Sequence, residues 1–520
     1  MKVVSAKQMQ ELDQCTIHNH NIPALQLMEN AGQEVSRIIR DYYPDLKKVV
    51  IFCGKGNNGG DGLVCARILS QHEIETIVYL CAKTSELKGE CRINYEVCQS
   101  LESKPVIHEI TEESQLKDVQ TELANADLVV DALLETGTKG PLQGLLSKVI
   151  HIINEADKQT VAIDIPTGMN PDTGEIVDDC IQPAITVTLG LPKIGLVTYP
   201  GAQYTGKVIT ADIGIPSNAI DSLKINLNYL TVEECSLLLP EREPESHKGT
   251  YGHVLILAGS PGFLGAACLA TESALRSGAG LVTLGVPSSL QTPAAIKLTE
   301  AMTLGLPETA KHTLDLNAEP IIDNFLKRAN VLAMGPGIST QENTLSLVRR
   351  LVQNSPIQVI LDADALVAYH NNLSGFKAAQ KPVIITPHPG EMARLCNCSI
   401  QDVQNNRISL SRRFAKDFGV YLVLKGAATL IAEPSGQVYI NSTGNPGMAT
   451  GGAGDVLTGI IASLSAQGLT PLEACLLGSY LHGLSGDFAA GVLTQYCLTA
   501  RDIIQYLPKA FSHLLSVSNT

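Results

Sequence analysis

Asn445-Pro-Gly-Met-Ala-Thr-Gly-Gly-Ala-Gly-Asp455-Val-Leu-Thr458 is a glycine-rich stretch that ends at one acid and leads directly into apolar sequence. The apolar residues that follow have the spacing of one buried helix face, and they are Val456, Leu457, Ile460, Ile461 and Leu464. Gly451–Gly454 is therefore predicted to form a loop that opens into a helix. Asp455 should lie in the first turn of that helix.

A loop of this kind has the features of a phosphate-binding site. Glycines let backbone N–H groups converge on an anion, and the N-terminus of a helix adds positive potential. Asp455 would then lie where a phosphoryl group is transferred, and it could accept the proton of the attacking hydroxyl. The alternative is a capped helix after a flexible loop, but a cap rarely needs so many glycines.

Length and composition predict a globular protein of two domains. A chain of 520 residues is too long for one ordinary domain, and 44% hydrophobic with 17% charged residues excludes general disorder. The formal net charge of −14 disfavours nucleic acid and anionic membranes as partners. The first residues lack the apolar core of a signal peptide, and no apolar segment is long enough to span a bilayer, so a cytoplasmic location is expected.

The cysteines point to reduced thiols rather than to a disulfide framework. There are 13 of them, an odd count, and several lie in apolar runs of both halves. Cys396 and Cys398 form the only close pair, and without a second pair zinc is not expected.

Hydrophobic patterning predicts an α/β chain. Residues 5–42 read as two helices, and short apolar strands then alternate with helical segments, which favours parallel sheets covered on both faces. The predicted strands are 49–53, 76–80, 128–132, 160–165, 184–189 and 207–212, then 253–258, 281–286, 331–334, 359–361, 383–386 and 421–424. The expected domains are residues 1–215 and 246–515, joined by a charged, proline-bearing linker over residues 216–245.

The first strand is followed by Gly54-Lys-Gly-Asn-Asn-Gly-Gly-Asp-Gly62, which matches the dinucleotide-binding pattern G-x-G-x-x-G. That pattern also needs an acid at the end of the next strand, where this chain has Cys81 and Ala82. Ordinary dinucleotide binding is therefore not well supported. Asn57, Asn58 and Asp61 indicate instead a loop that supplies oxygen ligands and phosphate donors, although a tight strand-to-helix turn remains the alternative.

Two further aspartates, Asp131 and Asp164, follow strands that should end at the same edge of the sheet. Oxygen atoms of Asn58, Asp131 and Thr167 could hold a monovalent cation. Lys139 and Asp164 could form a proton-transfer pair. The alternative reading makes both aspartates helix caps.

In the second half, two segments after strands carry candidate contacts. Thr386-Pro-His-Pro-Gly-Glu391 holds His388 between two prolines, which favours a ligand contact over a structural histidine. Lys425–Thr429 offers a positive charge and backbone donors to a nucleotide.

The first half resembles the YjeF N-terminal family, the NAD(P)H-hydrate epimerases, in residues 56–61, 131–140 and 162–168. The resemblance implies a Rossmann-like three-layer parallel sheet and potassium at Asn58, Asp131 and Thr167. It also implies contacts with the hydrates NADHX and NADPHX at Asn57, Asn58, Gly59, Gly60, Asp61, Glu135, Thr136, Gly137, Thr138, Lys139, Gly140, Pro141 and Asp164. Thr167 stands where the family usually has serine, and Glu135 where it usually has glycine.

The second half is similar to the YjeF C-terminal domain, the NAD(P)HX dehydratases of ribokinase-like fold. The similarity lies in residues 252–260, 276–282, 362–366, 386–391, 425–429 and 451–455. It implies substrate contacts at Gly337 and His388 and places Asp455 at the reacting centre. It implies nucleotide contacts at Lys425, Gly426, Ala427, Ala428, Thr429 and Gly454, with magnesium bridging the nucleotide phosphates.

Together these resemblances imply a two-domain enzyme that repairs hydrated NADH and NADPH. The first domain would interconvert the R and S hydrates, and the second would dehydrate the S hydrate with ADP, releasing AMP and phosphate. The residues themselves do not distinguish ADP from ATP, and a homo-oligomer is the family expectation. The alternative is a ribokinase-like vitamin or sugar kinase with a non-catalytic N-terminal binding domain.

Overall fold

The computed structural model describes residues 1–134 and 144–518, and its contacts divide the chain into two units. The N-terminal unit comprises Lys2–Ile225, and the C-terminal unit comprises Met1 and the chain from Asn226 onward. The predicted contacts at Glu135–Pro141 lie outside the described residues.

A seven-stranded parallel sheet forms the centre of the N-terminal unit. Its strands are Lys48–Cys53 (β1), Glu75–Leu80 (β2), Val106–Glu109 (β3), Leu128–Ala132 (β4), Thr160–Ile163 (β5), Ile185–Leu189 (β6) and Lys207–Ala211 (β7). Its helices are Ala6–Asn19 (α1), Ala24–Tyr42 (α2), Asn57–Gln71 (α3), Gly89–Ser100 (α4), Leu116–Asn125 (α5), Leu145–Glu155 (α6), Ile194–Val197 (α7) and Ser217–Ser222 (α8). The strand order is β3-β2-β1-β4-β5-β6-β7.

Side chains of β1 alternate between two hydrophobic cores, one on each face of the sheet. Val49 and Ile51 belong to one core, and Val50 and Phe52 belong to the other. The predicted sheet covered on both faces is confirmed in this unit. The strand order reverses between β1 and β4, and ligands of such sheets bind in the crevice beside the reversal. The loops after these two strands therefore occupy the favoured position for a site.

The C-terminal unit contains a ten-stranded sheet. Its strands are Leu227–Tyr229 (β8), His253–Leu257 (β9), Leu281–Pro287 (β10), Met302–Leu306 (β11), Val331–Met334 (β12), Gln358–Leu361 (β13), Val383–Ile385 (β14), Tyr421–Leu424 (β15), Leu430–Ala432 (β16) and Val438–Ile440 (β17). Its helices are Val232–Ser236 (α9), Leu264–Arg276 (α10), Gln291–Lys297 (α11), Glu319–Leu326 (α12), Glu342–Asn354 (α13), Pro389–Cys396 (α14), Ile400–Asn405 (α15), Arg407–Phe418 (α16), Ala453–Ala466 (α17), Pro471–Leu493 (α18) and Ala500–Ser518 (α19).

The strand order of this sheet is β11-β10-β9-β12-β13-β14-β15-β16-β17-β8. The strands from β11 to β15 are parallel, whereas β16 runs antiparallel to both of its neighbours. The parallel arrangement was predicted, but β3 of the first sheet and β8, β11, β16 and β17 of this one were not. These strands have three to five residues, too few to show a clear period in the sequence.

The glycine-rich stretch forms a loop and helix as predicted. Helix α17 begins at Ala453, with Asp455 in its first turn, and Gly452 adopts a left-handed conformation at the N-cap with φ of 93°. Val456 and Ile460 are fully buried. A side chain at Gly459 would lie 2.0 Å from the carbonyl oxygen of Ala270, so this glycine allows α17 to pack closely against α10.

The sequence predicted a linker over residues 216–245, but the structure has regular elements there. They are α8, β8 and α9. Ala219 and Ile225 pack with Leu12 in a small core of the N-terminal unit. Leu227 and Leu230 are buried in the C-terminal unit. The division between units therefore falls between residues 225 and 226. The charge and proline content of this segment suggested a loop. However, apolar side chains on either side of the boundary pack into the core of the unit to which each belongs.

No helix within residues 1–134 and 144–518 is long and apolar enough to cross a membrane. All 13 cysteines have free thiols.

We predict that a fragment of residues 1–225 folds alone, whereas a fragment of residues 1–215 is less stable. The shorter fragment loses Ala219 and Ile225 from the small core and the hydrogen bond from Lys2 Nζ to the Ile225 carbonyl oxygen. Removing a buried isoleucine costs about 2–5 kcal/mol of unfolding free energy. Urea unfolding of both fragments measures the difference, and equal midpoints would place the boundary near residue 215 instead.

Candidate active sites

Asp131 occupies a central, fully buried position at the end of β4. Its carboxylate accepts hydrogen bonds from the backbone N–H of Thr167 (2.8 Å), the Thr167 hydroxyl (2.7 Å) and the backbone N–H of Leu133 (3.2 Å). Burial raises the pKa of Asp131 to about 6, although the hydrogen bonds from Thr167 oppose the shift. A nearby positive charge would relieve the cost of ionising this carboxyl.

Asn58 lies in the first turn of α3 and is connected to the same loop. Its Nδ2 donates to the carbonyl oxygen of Leu134 (2.8 Å), and the N–H of Leu134 donates to the Thr167 hydroxyl (3.3 Å). The Asn58 Oδ1 atom is buried and has no hydrogen-bond donor among the described residues. The structure thus brings Asn58, Asp131 and Thr167 together around Leu134. The orphaned oxygen beside a buried carboxylate fits a cation that accepts oxygen ligands.

Glycines hold this first turn close to the neighbouring strands. A side chain at Gly59 would lie 1.9 Å from the carbonyl oxygen of Gly54, and one at Gly62 would lie 2.6 Å from the Ala132 side chain. The glycines of Gly54–Gly62 therefore allow α3 to start against the carboxyl ends of β1 and β4.

A cavity of about 510 Å³ opens beside this loop. Its lining comes from α1, α2, the first turns of α3 and α4, and residues at or after the ends of β5, β6 and β7. The predicted contacts Asn57, Asn58, Asp61 and Asp164 all line it. Gly59 and Gly60 are buried within the same turn, so their backbone is what could serve a ligand.

Asp164 has a left-handed backbone conformation, with φ of 67°, directly after β5. Its Oδ1 atom accepts hydrogen bonds from the Lys193 ammonium, the backbone N–H of Leu189 (3.0 Å) and the Thr188 hydroxyl (3.3 Å). Lys139, the expected partner of Asp164, lies outside the described residues. Among the described residues, the cation paired with Asp164 is Lys193.

Lys193 and Asp13 are among the cavity residues to which sequence reasoning gave no role. Lys193 is 1% exposed. A lysine inside the apolar run Leu189-Gly-Leu-Pro-Lys-Ile-Gly195 was the available signal, because a buried lysine needs a partner. Asp13 was read only as part of a helix, and no local pattern marks its position.

In the C-terminal unit, Asp455 lies in an electrostatic cluster at the start of α17. Burial raises the pKa of Asp455 to about 7, the charge of Asp362 adds to the shift, and Lys425 opposes it. Lys425 Nζ donates to Asp362 Oδ1 (2.6 Å), and the Thr458 hydroxyl donates to Asp362 Oδ2 (2.8 Å). Gly454 lies against this pair, since a side chain there would be 3.1 Å from Lys425 Nζ.

Asp362 received no role from the sequence beyond its place after a strand, yet it is the residue that fixes Lys425. Burial alone would lower the pKa of Lys425, but the charges of Asp362 and Glu391 raise it. Lys425 therefore keeps its positive charge next to the predicted anion loop.

The segment Lys425–Thr429 is held by Arg407, a residue that sequence reasoning also missed. Its guanidinium donates to the carbonyl oxygens of Leu424 (3.2 Å), Lys425 (3.4 Å) and Ala428 (3.4 Å). Burial lowers the pKa of Arg407 to about 10. Ala428 adopts a left-handed conformation with φ of 50°. These hydrogen bonds from Arg407 to backbone carbonyl groups fix the conformation of the segment.

His388 and Gly337 approach the Asp455 cluster indirectly. His388 caps α14. Its Nδ1 atom accepts a hydrogen bond from the backbone N–H of Gly390 (3.0 Å), and the backbone N–H of His388 donates to the Glu391 carboxylate (2.7 Å). Glu391 in turn feels the charges of Lys425 and Asp362. The His388 side chain is 51% exposed, so a ligand could reach it.

Gly337 has a positive φ of 59°, and its carbonyl oxygen accepts a hydrogen bond from the Ser260 hydroxyl (2.8 Å). Two residues later, the N–H of Ser339 donates to Asp364 (3.0 Å), one of the carboxylates that raise the pKa of Asp455. Gly337 is therefore connected to Asp455 through Ser339 and Asp364, without a direct contact between Gly337 and Asp455 among the hydrogen bonds of the described residues.

No group of three or more His, Cys, Asp or Glu side chains in residues 1–134 and 144–518 is arranged to hold a metal ion. The carboxylates whose charges act on Asp455 are Asp362, Asp364 and Glu391, and carboxylate oxygens are ligands that magnesium accepts.

Comparison with known proteins divides the chain in the same way. Residues 24–195 match the family model described as YjeF-related protein N-terminus, and residues 254–509 match the model of NAD(P)H-hydrate dehydratase.

Full-length relatives carry both parts. A bifunctional NAD(P)H-hydrate repair enzyme from Moorella thermoacetica is 45% identical over 99% of this chain and 97% of its own length. A bifunctional NAD(P)H-hydrate repair enzyme from Escherichia coli K12 is 33% identical over 93% of this chain and 89% of its own.

Among solved structures, an ADP/ATP-dependent NAD(P)H-hydrate dehydratase from Bacillus subtilis, co-crystallized with ATP and Mg²⁺, is 32% identical. The match covers 56% of this chain and 99% of that one, with a TM-score of 0.49. On the full-length similarity, the chain belongs to the family of the bifunctional NAD(P)H-hydrate repair enzymes.

Proposed function

We propose that this protein repairs hydrated NADH and NADPH through two successive activities. The N-terminal unit interconverts the R and S hydrates, and the C-terminal unit dehydrates the S hydrate with ADP, releasing AMP and phosphate. The observation that carries the proposal is the partly buried Asp455 in the first turn of α17, with its pKa raised to about 7 beside Lys425. A carboxylate tuned near neutral pH suits a general base for a hydroxyl.

In the dehydratase reaction, Asp455 takes the proton from the hydroxyl of the S hydrate while that oxygen attacks the terminal phosphoryl group. Phosphorylation converts hydroxide, a poor leaving group, into phosphate. Phosphate then leaves with the C–O electron pair, a ring proton is lost, and the double bond of the nicotinamide is restored. Gly337 and His388 are the proposed contacts of the substrate with this unit.

The backbone around Gly454 and the segment Lys425–Thr429 are the proposed nucleotide contacts. Lys425 brings a positive charge close to Gly454 at the start of α17, where phosphate oxygens would be held. Magnesium, bound to the nucleotide phosphates with one or two carboxylates of the Asp455 cluster, would neutralise charge on the transferred group.

In the epimerase reaction, the hydrate occupies the cavity lined by Asn57, Asn58, Asp61 and Asp164. Potassium held by Asn58, Asp131 and Thr167 would balance the buried Asp131 carboxylate and fix the loop. Asp164 is the proposed proton-transfer group, with Lys139 as the partner expected from the sequence. The segment Glu135–Pro141 completes the proposed substrate contacts.

A homo-oligomeric state and a cytoplasmic location stay predictions from the sequence.

We predict that Asp455→Asn abolishes dehydration and leaves nucleotide binding and epimerisation in place. The amide keeps the size of the carboxylate but cannot accept the hydroxyl proton, which typically costs about 10²–10⁴-fold in rate. The mutant should convert R hydrate to S hydrate without forming NADH. Asp417→Asn, on the exposed face of α16, is the matched control and should keep the normal rate. Near-normal NADH formation by Asp455→Asn would mean that another group is the base.

Dehydration should also depend on pH through Asp455. Because its pKa is raised from the ordinary value of 3.8 to about 7, the ionised form that accepts a proton is gained only as the pH rises through about 7. The kcat/KM for S hydrate should therefore increase tenfold per pH unit below that value and level off above it. A rate that is already level from pH 5 upward would contradict the assignment.

Potassium should support epimerisation and have little effect on dehydration. Hydrogen bonds link Asn58, Thr167 and Asp131 through Leu134, so their oxygen atoms could serve a cation of potassium's size. Lithium is smaller and prefers tighter coordination. Replacing potassium chloride by lithium chloride at equal ionic strength should slow the conversion of R to S hydrate. Dehydration of pure S hydrate by the same preparation is the internal control, and equal slowing of both reactions would remove the cation assignment.

A further inference from the structure

The acidic side chain of Asp13 lines the same cavity as Asp164 and Lys193. The start of its helix is attached to the turn that carries Lys193. The N–H of Val4 donates to the carbonyl oxygen of Pro192 (3.0 Å), and the N–H of Ile194 donates to the carbonyl oxygen of Val4 (3.1 Å). Ser5 then caps α1, so the position of Asp13, two helical turns later, is coupled to the position of Lys193.

Lys193 is held in place by three hydrogen bonds. Its ammonium donates to Asp164 Oδ1, to the carbonyl oxygen of Leu189 (3.0 Å) and to the Thr188 hydroxyl (3.4 Å). A lysine ammonium has three donors, and here each one has an acceptor. The buried side chain therefore has no free position from which to take a proton from a ligand.

Among residues 1–134 and 144–518, the groups that hold Asp164 bind one of its carboxylate oxygens. All the hydrogen bonds to its side chain fall on Oδ1, and Oδ2 has no donor among the described residues. The aspartate is thus fixed by one oxygen, with its charge balanced by Lys193. The other oxygen remains able to accept a proton from a molecule in the cavity.

Asp13 is in a different electrostatic position. Burial raises its pKa to about 6; the charge of Asp164 adds to the shift, whereas Lys193 opposes it. Among the described residues, the other titratable side chains that line the cavity are His18, Asp61 and Glu90. Two carboxyl groups whose surroundings differ in this way are suited to opposite roles, one as acid and one as base.

We propose that Asp13 and Asp164 form the proton-transfer pair of the epimerisation, and that Lys193 is the positioning residue for Asp164. The inference rests on the proposed function of the N-terminal unit. It assigns to Asp13 the role that the sequence suggested for Lys139.

The chemistry of the hydrate explains the need for two groups. Its hydroxyl is on the ring carbon bonded to the ring nitrogen. Protonated Asp13 donates its proton to this hydroxyl, the C–O bond breaks with its electron pair on the departing water, and the nitrogen lone pair forms an iminium ion. Water then adds to the opposite face, passes its proton to Asp164, and the nitrogen recovers its lone pair. The proton returns from Asp164 to Asp13 through solvent, and the reverse reaction exchanges the two roles.

The test compares Asp13→Asn with wild type in the full-length protein, and measures conversion of purified R hydrate to S hydrate after subtraction of the enzyme-free rate. We expect a loss of about 10²–10⁴-fold. Dehydration of S hydrate should be unchanged, which also reports that the protein is folded. Glu11→Gln, on the same helix with a 48% exposed side chain, is the matched control and should epimerise normally.

The pH profile separates proton transfer from a structural role. The wild-type rate should fall as the pH rises through about 6, since the pair needs one proton that an ordinary aspartate would already have lost. Asp13→Glu should restore part of the rate and keep this limb, whereas the residual rate of Asp13→Asn should lack it. An unchanged rate and profile in Asp13→Asn would overturn the inference while leaving the repair function intact. A wild-type protein that does not interconvert the hydrates would instead overturn the proposed function.

Discussion

The partial or full burial of ionisable carboxylates near the carboxyl ends of parallel strands is the constraint on which both candidate sites depend. An isolated buried carboxylate is costly, so each one must be hydrogen-bonded, paired or protonated. Thr167 donates two hydrogen bonds to the carboxylate of Asp131. Lys193 forms an ion pair with Asp164, and Lys425 forms one with Asp362. Asp455 is left with partial compensation, and its pKa rises to about 7 as a result. Stability and reactivity thus have the same electrostatic origin in this protein.

The two units use different arrangements to position the glycine-rich loops at their candidate sites. The N-terminal unit starts α3 directly against β1 and β4, and glycines permit the close approach. The C-terminal unit places a left-handed glycine, Gly452, before α17 and holds a neighbouring segment from behind with Arg407. In each case backbone N–H groups can face a ligand, which suits a chain whose net charge of −14 would otherwise repel an anion.

Local sequence was enough to predict the framework of both sites. The glycine-rich loop and the first turn of α17 follow from composition and helical spacing, and the strands Leu128–Ala132 and Val331–Met334 have the predicted bounds. The partners of the buried charges were not predictable in this way. Lys193 meets Asp164 across 29 residues of sequence, and Lys425 meets Asp362 across 63. Such pairs are created by the arrangement of strands in the sheet, so no spacing along the chain indicates them. The boundary between units was likewise set by isolated apolar side chains such as Ile225, which a charged, proline-bearing stretch conceals.

The most direct measurement of the central claim supplies the full-length protein with an equal mixture of R and S hydrates of NADH, together with ADP, magnesium and potassium. The NADH formed is measured by its absorbance, and the amounts of AMP and phosphate are measured alongside it. If one chain carries both activities, all of the hydrate returns to NADH, and AMP and phosphate appear in equal amounts with it. Recovery of only the S half beyond the spontaneous rate would contradict an epimerase in the N-terminal unit. Accumulation of a phosphorylated product without NADH would contradict dehydration and leave a kinase.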